Sequence, residues 1–169
     1  LAVQDPHAAA AELRRCAKDR KRFPAMVLPT VTKLGKTYGD EFFRPIFEAA
    51  AECDMALALH GAPSEGFGFD HFTRYISSHT LEHPVPLFIN LTDMMFAGVF
   101  DTFPKLRFVF LEAGCAWIPF MMDRMDCEYD SVHGINYRNS MKKPSDYFRD
   151  GESIWVGNSR GGTVTRLTL

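Results

Sequence analysis

Residues 107–117 read RFVFLEAGCAW. Four apolar residues, Phe108 to Leu111, run unbroken into one acid, Glu112, and then into the small-residue turn Ala113-Gly114. An apolar run of this length, bounded by a turn signal, predicts a strand buried on both faces. Residues 55–63, MALALHGAP, repeat the pattern with a histidine in place of the acid: the run closes on His60 and Gly61. Two such strands separated by helical periodicity point to an α/β fold, in which strands are parallel and helices cover them.

The flanking segments agree. Asp5 is a natural N-cap, Pro6 suits the first helical turn, and Ala9, Leu13, Cys16 and Ala17 share one face. The other face carries Arg14, Arg15 and Lys18 and runs on into Arg20, Lys21 and Arg22. Such a run can grip an anion, but its plainer reading is a solvated helix end whose cations oppose the C-terminal dipole. Residues 25–28 predict a strand and 35–40 a loop. A helix is expected over 41–53, with Phe43, Ile46, Phe47 and Ala50 at helical spacing. Residues 71–103 read as mainly helical, with Leu87, Leu91, Met94, Met95 and Val99 on an apolar face. Residues 117–129 predict a helix with Trp117, Phe120, Met121 and Met125 inward and Asp123, Asp126 and Glu128 outward. A polar stretch over 135–151 leads to a last strand at 153–159. The order α, β, α, β, α, α, β, α, β fits both a doubly wound sheet and a (β/α)8 barrel. The 169 residues fall well short of the ~250 typical of a full barrel.

Composition narrows the class. The chain is 46% apolar, with fifteen phenylalanines and eight methionines, which is the makeup of a packed core rather than of disorder. A net charge of −2, from 19 basic and 21 acidic residues, gives no footing for nucleic acid or a charged membrane. No apolar run approaches the ~18 residues of a membrane span. The first residues lack the order of a secretion signal, and the chain opens on Leu1, so it is expected to start inside a longer protein. The four cysteines are far apart with no metal-finger spacing, which suits a reducing cytoplasm.

In either α/β architecture chemistry gathers where strands end. The three candidate ends are Pro29-Thr30, His60-Gly61 and Glu112-Ala113-Gly114. A histidine and a carboxylate at neighbouring ends can ligate a divalent metal or pass a proton between them. The plainer alternatives are a His60 bonded to a backbone carbonyl and a Glu112 paired with Arg107 or Arg124; spacing alone leaves both open. His79 and His83, four apart, can share a helical face, although Pro84 disfavours helix at His83. His7 and His133 read as exposed. The loop SEGFGFD lacks the strand–GxGxxG–helix context of a nucleotide site.

The string FPKLRFVFLEAGCAWIPFMMDRMD closely resembles the signature after the sixth strand in the amidohydrolase-related family, which includes aminocarboxymuconate-semialdehyde decarboxylase-like enzymes. AVQDPHAAAAELRRC, FFRPIFEAAAECDMALALHGAP and KKPSDYFRDG support the resemblance, which reaches about residue 158; beyond Ser159 the polar β-branched run in RGGTVTRLTL is expected to be the following helix or a ragged fragment end. It implies a partial (β/α)8 barrel, about strands three or four to seven, forming one domain over 1–169 that is incomplete at both ends. It implies a divalent metal, usually zinc, and a small carboxylated or aromatic substrate. His60 matches the fifth-strand metal ligand. Glu112 stands where many members place a catalytic histidine, so the resemblance makes it the candidate acid/base. The resemblance also implies an HxH or ExH ligand pair and a strand-ending aspartate, and neither is found in this sequence. The expected function is a segment of a hydrolase working through metal-activated water. A decarboxylase of the same family and a non-catalytic barrel segment are the alternatives. The chain alone is expected to be inactive, and homo-oligomer formation is left open.

Overall fold

The computed structural model describes residues 1–61, 66–131, 142–150, 153–158 and 163–166. The expectations for His133, for residues 62–65 of the glycine-rich loop and for residues 135–141 of the polar stretch lie outside the described residues.

Four strands pair in chain order and run parallel: β1 (Ala25–Pro29), β2 (Ala56–His60), β3 (Phe108–Leu111) and β4 (Ile154–Asn158). Helices α1 (Pro6–Cys16), α2 (Arg44–Glu52), α3 (Tyr75–Glu82), α4 (Pro84–Phe96), α5 (Val99–Thr102), α6 (Ile118–Ser131) and α7 (Pro144–Asp150) lie between or before them. The Asp5 cap is the one the sequence signals, and Asp40 adds a second. Asp5 Oδ1 accepts a hydrogen bond from the Ala8 N–H at 3.0 Å, and Asp40 Oδ1 accepts from the Phe42 N–H at 2.8 Å ahead of α2.

Register explains the core. Leu28, Leu59, Phe110 and Val156 stand side by side across the sheet, and Met26, Leu57, Phe108 and Ile154 form the next such row. Both rows are buried with the apolar faces of the helices in one continuous cluster. Phe108 is fully buried, with Phe47 edge-on at 5.4 Å and Phe100 at 5.6 Å between ring centroids. Burying a side chain of this size contributes about 1.5–3 kcal/mol.

The intervening row, Val27, Ala58, Val109 and Trp155, points to the other face by strand alternation. Here the expectation of strands buried on both sides is met only in part, since Val27 is 51% exposed. Three further details differ from the sequence reading. Residues 163–166 form a strand, β5 (Thr163–Arg166), antiparallel to β4, rather than a helix or a ragged end. Thr163, Val164 and Thr165 are β-branched, and the four residues 159–162 are too few for a parallel crossover. Phe120 is 62% exposed, because α6 turns Ile118, Met121, Met122 and Met125 inward and Phe120 falls on the opposite side. Asp126 is not simply solvated: its carboxylate caps α7 by accepting from the Ser145 N–H at 2.8 Å. No helix among the described residues is long and apolar enough to cross a membrane.

One buried amide ties the helices to the strand ends. Asn90 of α4 accepts from the Tyr38 N–H at 3.1 Å and donates to the carbonyls of Thr30 and Pro86, both at 2.8 Å. Asn90→Ala leaves these buried groups unmatched. It is expected to lower unfolding stability by about 2–3 kcal/mol, read from urea melts.

Candidate functional site

Parallel pairing brings three strand ends to one edge of the sheet. The Thr30 N–H after β1 donates to the His60 carbonyl at 3.1 Å, and His60 stands opposite Leu111, the residue before Glu112. His60 closes β2 on the face turned away from the helices. Glu112 follows β3 in a left-handed conformation, φ 65°. For a residue with a Cβ that conformation costs about 1–2 kcal/mol, so the surrounding turn must hold it. Trp117 Nε1 donates to the Gly114 carbonyl at 2.7 Å and locks that turn.

The structure brings Glu112 onto His60 and adds a third group. Glu112 Oε1 lies 3.4 Å from His60 Nε2, and its Oε2 lies 3.6 Å from Nε2 of His83. The two imidazoles meet edge-to-face with centroids 5.7 Å apart. The carboxylate thus spans two rings, one half-exposed and one buried. The arginine reading of Glu112 has no support: Arg107 pairs with Asp54 at the opposite end of the strands, and Arg124 pairs with Glu128. The Arg107 guanidinium holds the Asp54 carboxyl below its usual range. Nor does His60 bond a backbone carbonyl; among the described residues its polar partner is Glu112.

His83 reaches the site because of a local conflict. A residue before proline is disfavoured in the α region, yet His83 sits there (φ −85°, ψ −56°), where α3 hands over to α4. Pro84, the first residue of α4, has no N–H to leave unpaired. The elbow then packs directly on the end of β2. A Cβ at Gly61 would stand 2.4 Å from His83 Nδ1 and 2.6 Å from its Cα, so only glycine fits. The expectation that Pro84 would separate His83 from His79 is therefore not met: their rings lie 4.9 Å apart. His83 as a neighbour of Glu112 was missed, and no local sequence signal reports that contact. His7 and His71 are exposed and away from the cluster. Thr30 Oγ1, at the third strand end, is buried without a hydrogen-bond partner among the described residues.

His60 and Glu112 stand at the spacing of two ligands of one divalent ion. Neighbouring ligands around a tetrahedral ion with bonds of ~2.0–2.1 Å stand about 3.4 Å apart. The His60–Glu112 separation, 3.4 Å, matches that spacing and exceeds an ordinary N–H···O bond, while His83 faces the other carboxylate oxygen at 3.6 Å.

The amidohydrolase family model matches residues 1–139. The chain belongs to the amidohydrolase family. The 2-amino-3-carboxymuconate-6-semialdehyde decarboxylase of Dictyostelium discoideum is 28% identical over 138 residues, covering 82% of this chain and 35% of that protein. The 5-carboxyvanillate decarboxylase of Sphingomonas paucimobilis superposes with a TM-score of 0.76 at 30% identity, over 92% of this chain and 46% of that one. A 5-carboxyvanillate decarboxylase from Novosphingobium aromaticivorans, solved with manganese and 3-methoxy-4-hydroxy-5-nitrobenzoic acid, gives 0.74 at 26% identity, over 95% and 46%. This chain spans less than half the length of these relatives. Its parallel sheet and helices constitute a partial barrel of their kind.

Two substitutions probe the geometry. Glu112→Gly is expected to be more stable than Glu112→Ala by about 1 kcal/mol in thermal melts, because only glycine occupies that backbone region freely. Gly61→Ala is expected to displace the elbow and to cost about 1–3 kcal/mol, with the His83 ring resonances shifting in NMR spectra.

Proposed function

We propose that this chain supplies part of the active site of a metal-dependent decarboxylase acting on a small, carboxylated and often aromatic substrate. The observation that carries the reading is the His60–Glu112–His83 cluster at the strand ends of a chain whose relatives decarboxylate such molecules. His60 is the proposed metal ligand, with Glu112 and His83 beside it. A bound divalent ion would supply Lewis acidity toward a substrate oxygen and fix the substrate's orientation. Zinc suits a histidine-rich donor set, and the manganese of the N. aromaticivorans enzyme makes that ion the competitor.

Glu112 is the proposed acid/base. In its protonated form it donates a proton to the carbon that bears the substrate carboxylate. The C–C bond then breaks, its electron pair returns to the substrate's π system, and carbon dioxide leaves. His83, facing the other carboxylate oxygen, fixes the orientation of the group. In the hydrolytic reading the same carboxylate takes a proton from water. That reading draws on the family as a whole, whereas the names of the most similar relatives favour decarboxylation. The cytoplasmic location rests on four unpaired thiols. The missing metal ligands are placed outside these 169 residues, so the chain by itself is expected to be inactive.

The test is turnover of hydroxybenzoate carboxylates and of amides by the full-length protein, with product analysis for carbon dioxide against hydrolysis. His60→Ala is expected to lose metal at its site and activity together. Glu112→Gln is expected to keep that metal while turnover falls about 10²–10⁴-fold. Unchanged turnover in Glu112→Gln would remove Glu112 from the chemistry, and hydrolysis products alone would favour the second reading.

A further inference from the structure

Helix α3 is an odd helix to find folded against a core. Its one buried residue is a glutamate, Glu82, at 5% exposure, while Tyr75 and Ile76 are 73% and 67% exposed. Among the described residues the Glu82 side chain meets only the Ser78 hydroxyl, at 3.4 Å. A carboxylate this deep is ordinarily held by a cation or by several donors. Beside it, His83 is buried, and among the described residues its Nδ1 has no hydrogen-bond partner. His79, one turn earlier, packs its ring on that of His83. In sequence these residues read HTLEH, an H-x-x-E-H spacing that sets both imidazoles and the carboxylate on one helical face. One donor atom of each lies within 4.8 Å of the other two.

We propose that the α3–α4 elbow is a second divalent-cation site, formed by His79, Glu82 and His83 and separate from the one assigned to His60. The observations converge on a missing positive charge: a buried acid short of donors, a buried imidazole nitrogen without a partner, and a third ligand at helical spacing. Two imidazoles and one carboxylate select an ion of the zinc class over magnesium or calcium. Three protein ligands leave a fourth position for water. The ion anchors a helix that has almost no apolar packing of its own. It thereby holds His83 against Gly61 and in reach of Glu112. The site uses neither His60 nor Glu112, and His83 of the elbow lies between the two sites.

The experiment is zinc titration of the metal-stripped full-length protein and of its His60→Ala variant, with metal content measured by mass spectrometry after gel filtration. His60→Ala is expected to retain one zinc. Adding Glu82→Gln or His79→Gln to it is expected to weaken that zinc by at least about 100-fold. Cobalt(II) loaded into His60→Ala is expected to show the intense visible absorption of a four-coordinate site, lost in either double variant. Zinc is likewise expected to raise the melting temperature of His60→Ala but not of the double variants. His79 is half-exposed, so His79→Gln keeps the test readable if the Glu82 variant unfolds. If the double variants bind zinc as His60→Ala does, or if His60→Ala binds none, the second site is refuted. If His60→Ala binds as much zinc as the wild type while the His79 and Glu82 variants bind less, it is the His60 assignment that fails and the elbow site that stands.

Discussion

The register between β2 and β3 is the constraint on which the remainder of the molecule rests. It is set by two rows of large apolar side chains, Leu57 against Phe108 and Leu59 against Phe110, all fully buried beneath the helices. A slip of one residue would turn those rows away from the helices and bring Ala58 and His60 into the core. The cost of that slip, many kcal/mol of lost burial, is what keeps His60 on the open face with Glu112 beside it. Core packing and site assembly are therefore one choice, made by the same residues.

Local tension gathers at the strand ends. Glu112 occupies a left-handed backbone region, His83 is helical before a proline, and Thr30 Oγ1 is buried without a hydrogen-bond partner among the described residues. Each is a local cost held in place by the packing of α4 and α6 on the sheet. Such conflicts between local preference and global fold tend to mark functional surfaces, because a structure free to relax would remove them. The close approach of Gly61 to His83 turns these costs into a single unit. The elbow cannot move without releasing Glu112, and Glu112 cannot relax without losing both imidazoles.

The helices and the four parallel strands were legible in the sequence because their signals are local: Asp5 and Pro6 at a helix start, apolar runs closing on Gly61 and Gly114, and Leu87 to Val99 at helical spacing. Family membership was legible in the FPKLRFVFLEAGCAW string. What escaped depends on partners distant in the chain. β5 is a strand because β4 offers it an edge, whereas the run by itself reads as a helix or a fragment end. Glu112 reads in sequence as the end of a buried strand, whereas it is half-exposed in a turn and faces imidazoles rather than arginines. Arg107 was a poor candidate for a reason visible only in three dimensions: it sits at the far end of its own strand. His83 reached the site through Pro84's position as the first residue of α4, which overrode the ordinary preference of a residue before proline.

The face on which His60 projects also carries the apolar row Val27, Ala58, Val109 and Trp155. Parallel sheets are ordinarily covered on both sides, because their strands carry apolar residues on both faces. In a closed barrel this row becomes an interior layer, stacked against the inward side chains of the remaining strands. Under the reading proposed above, the strands that bury Val27 are also the ones that carry the other metal ligands to His60. Completing the hydrophobic interior and completing the coordination shell then become the same folding event. Water leaves the floor of the site as the remaining ligands arrive, and the low-dielectric surroundings in which a positioned carboxylate works best form at that moment. Glu112, half-exposed at the rim of this arc, is the group that such closure would shield from water.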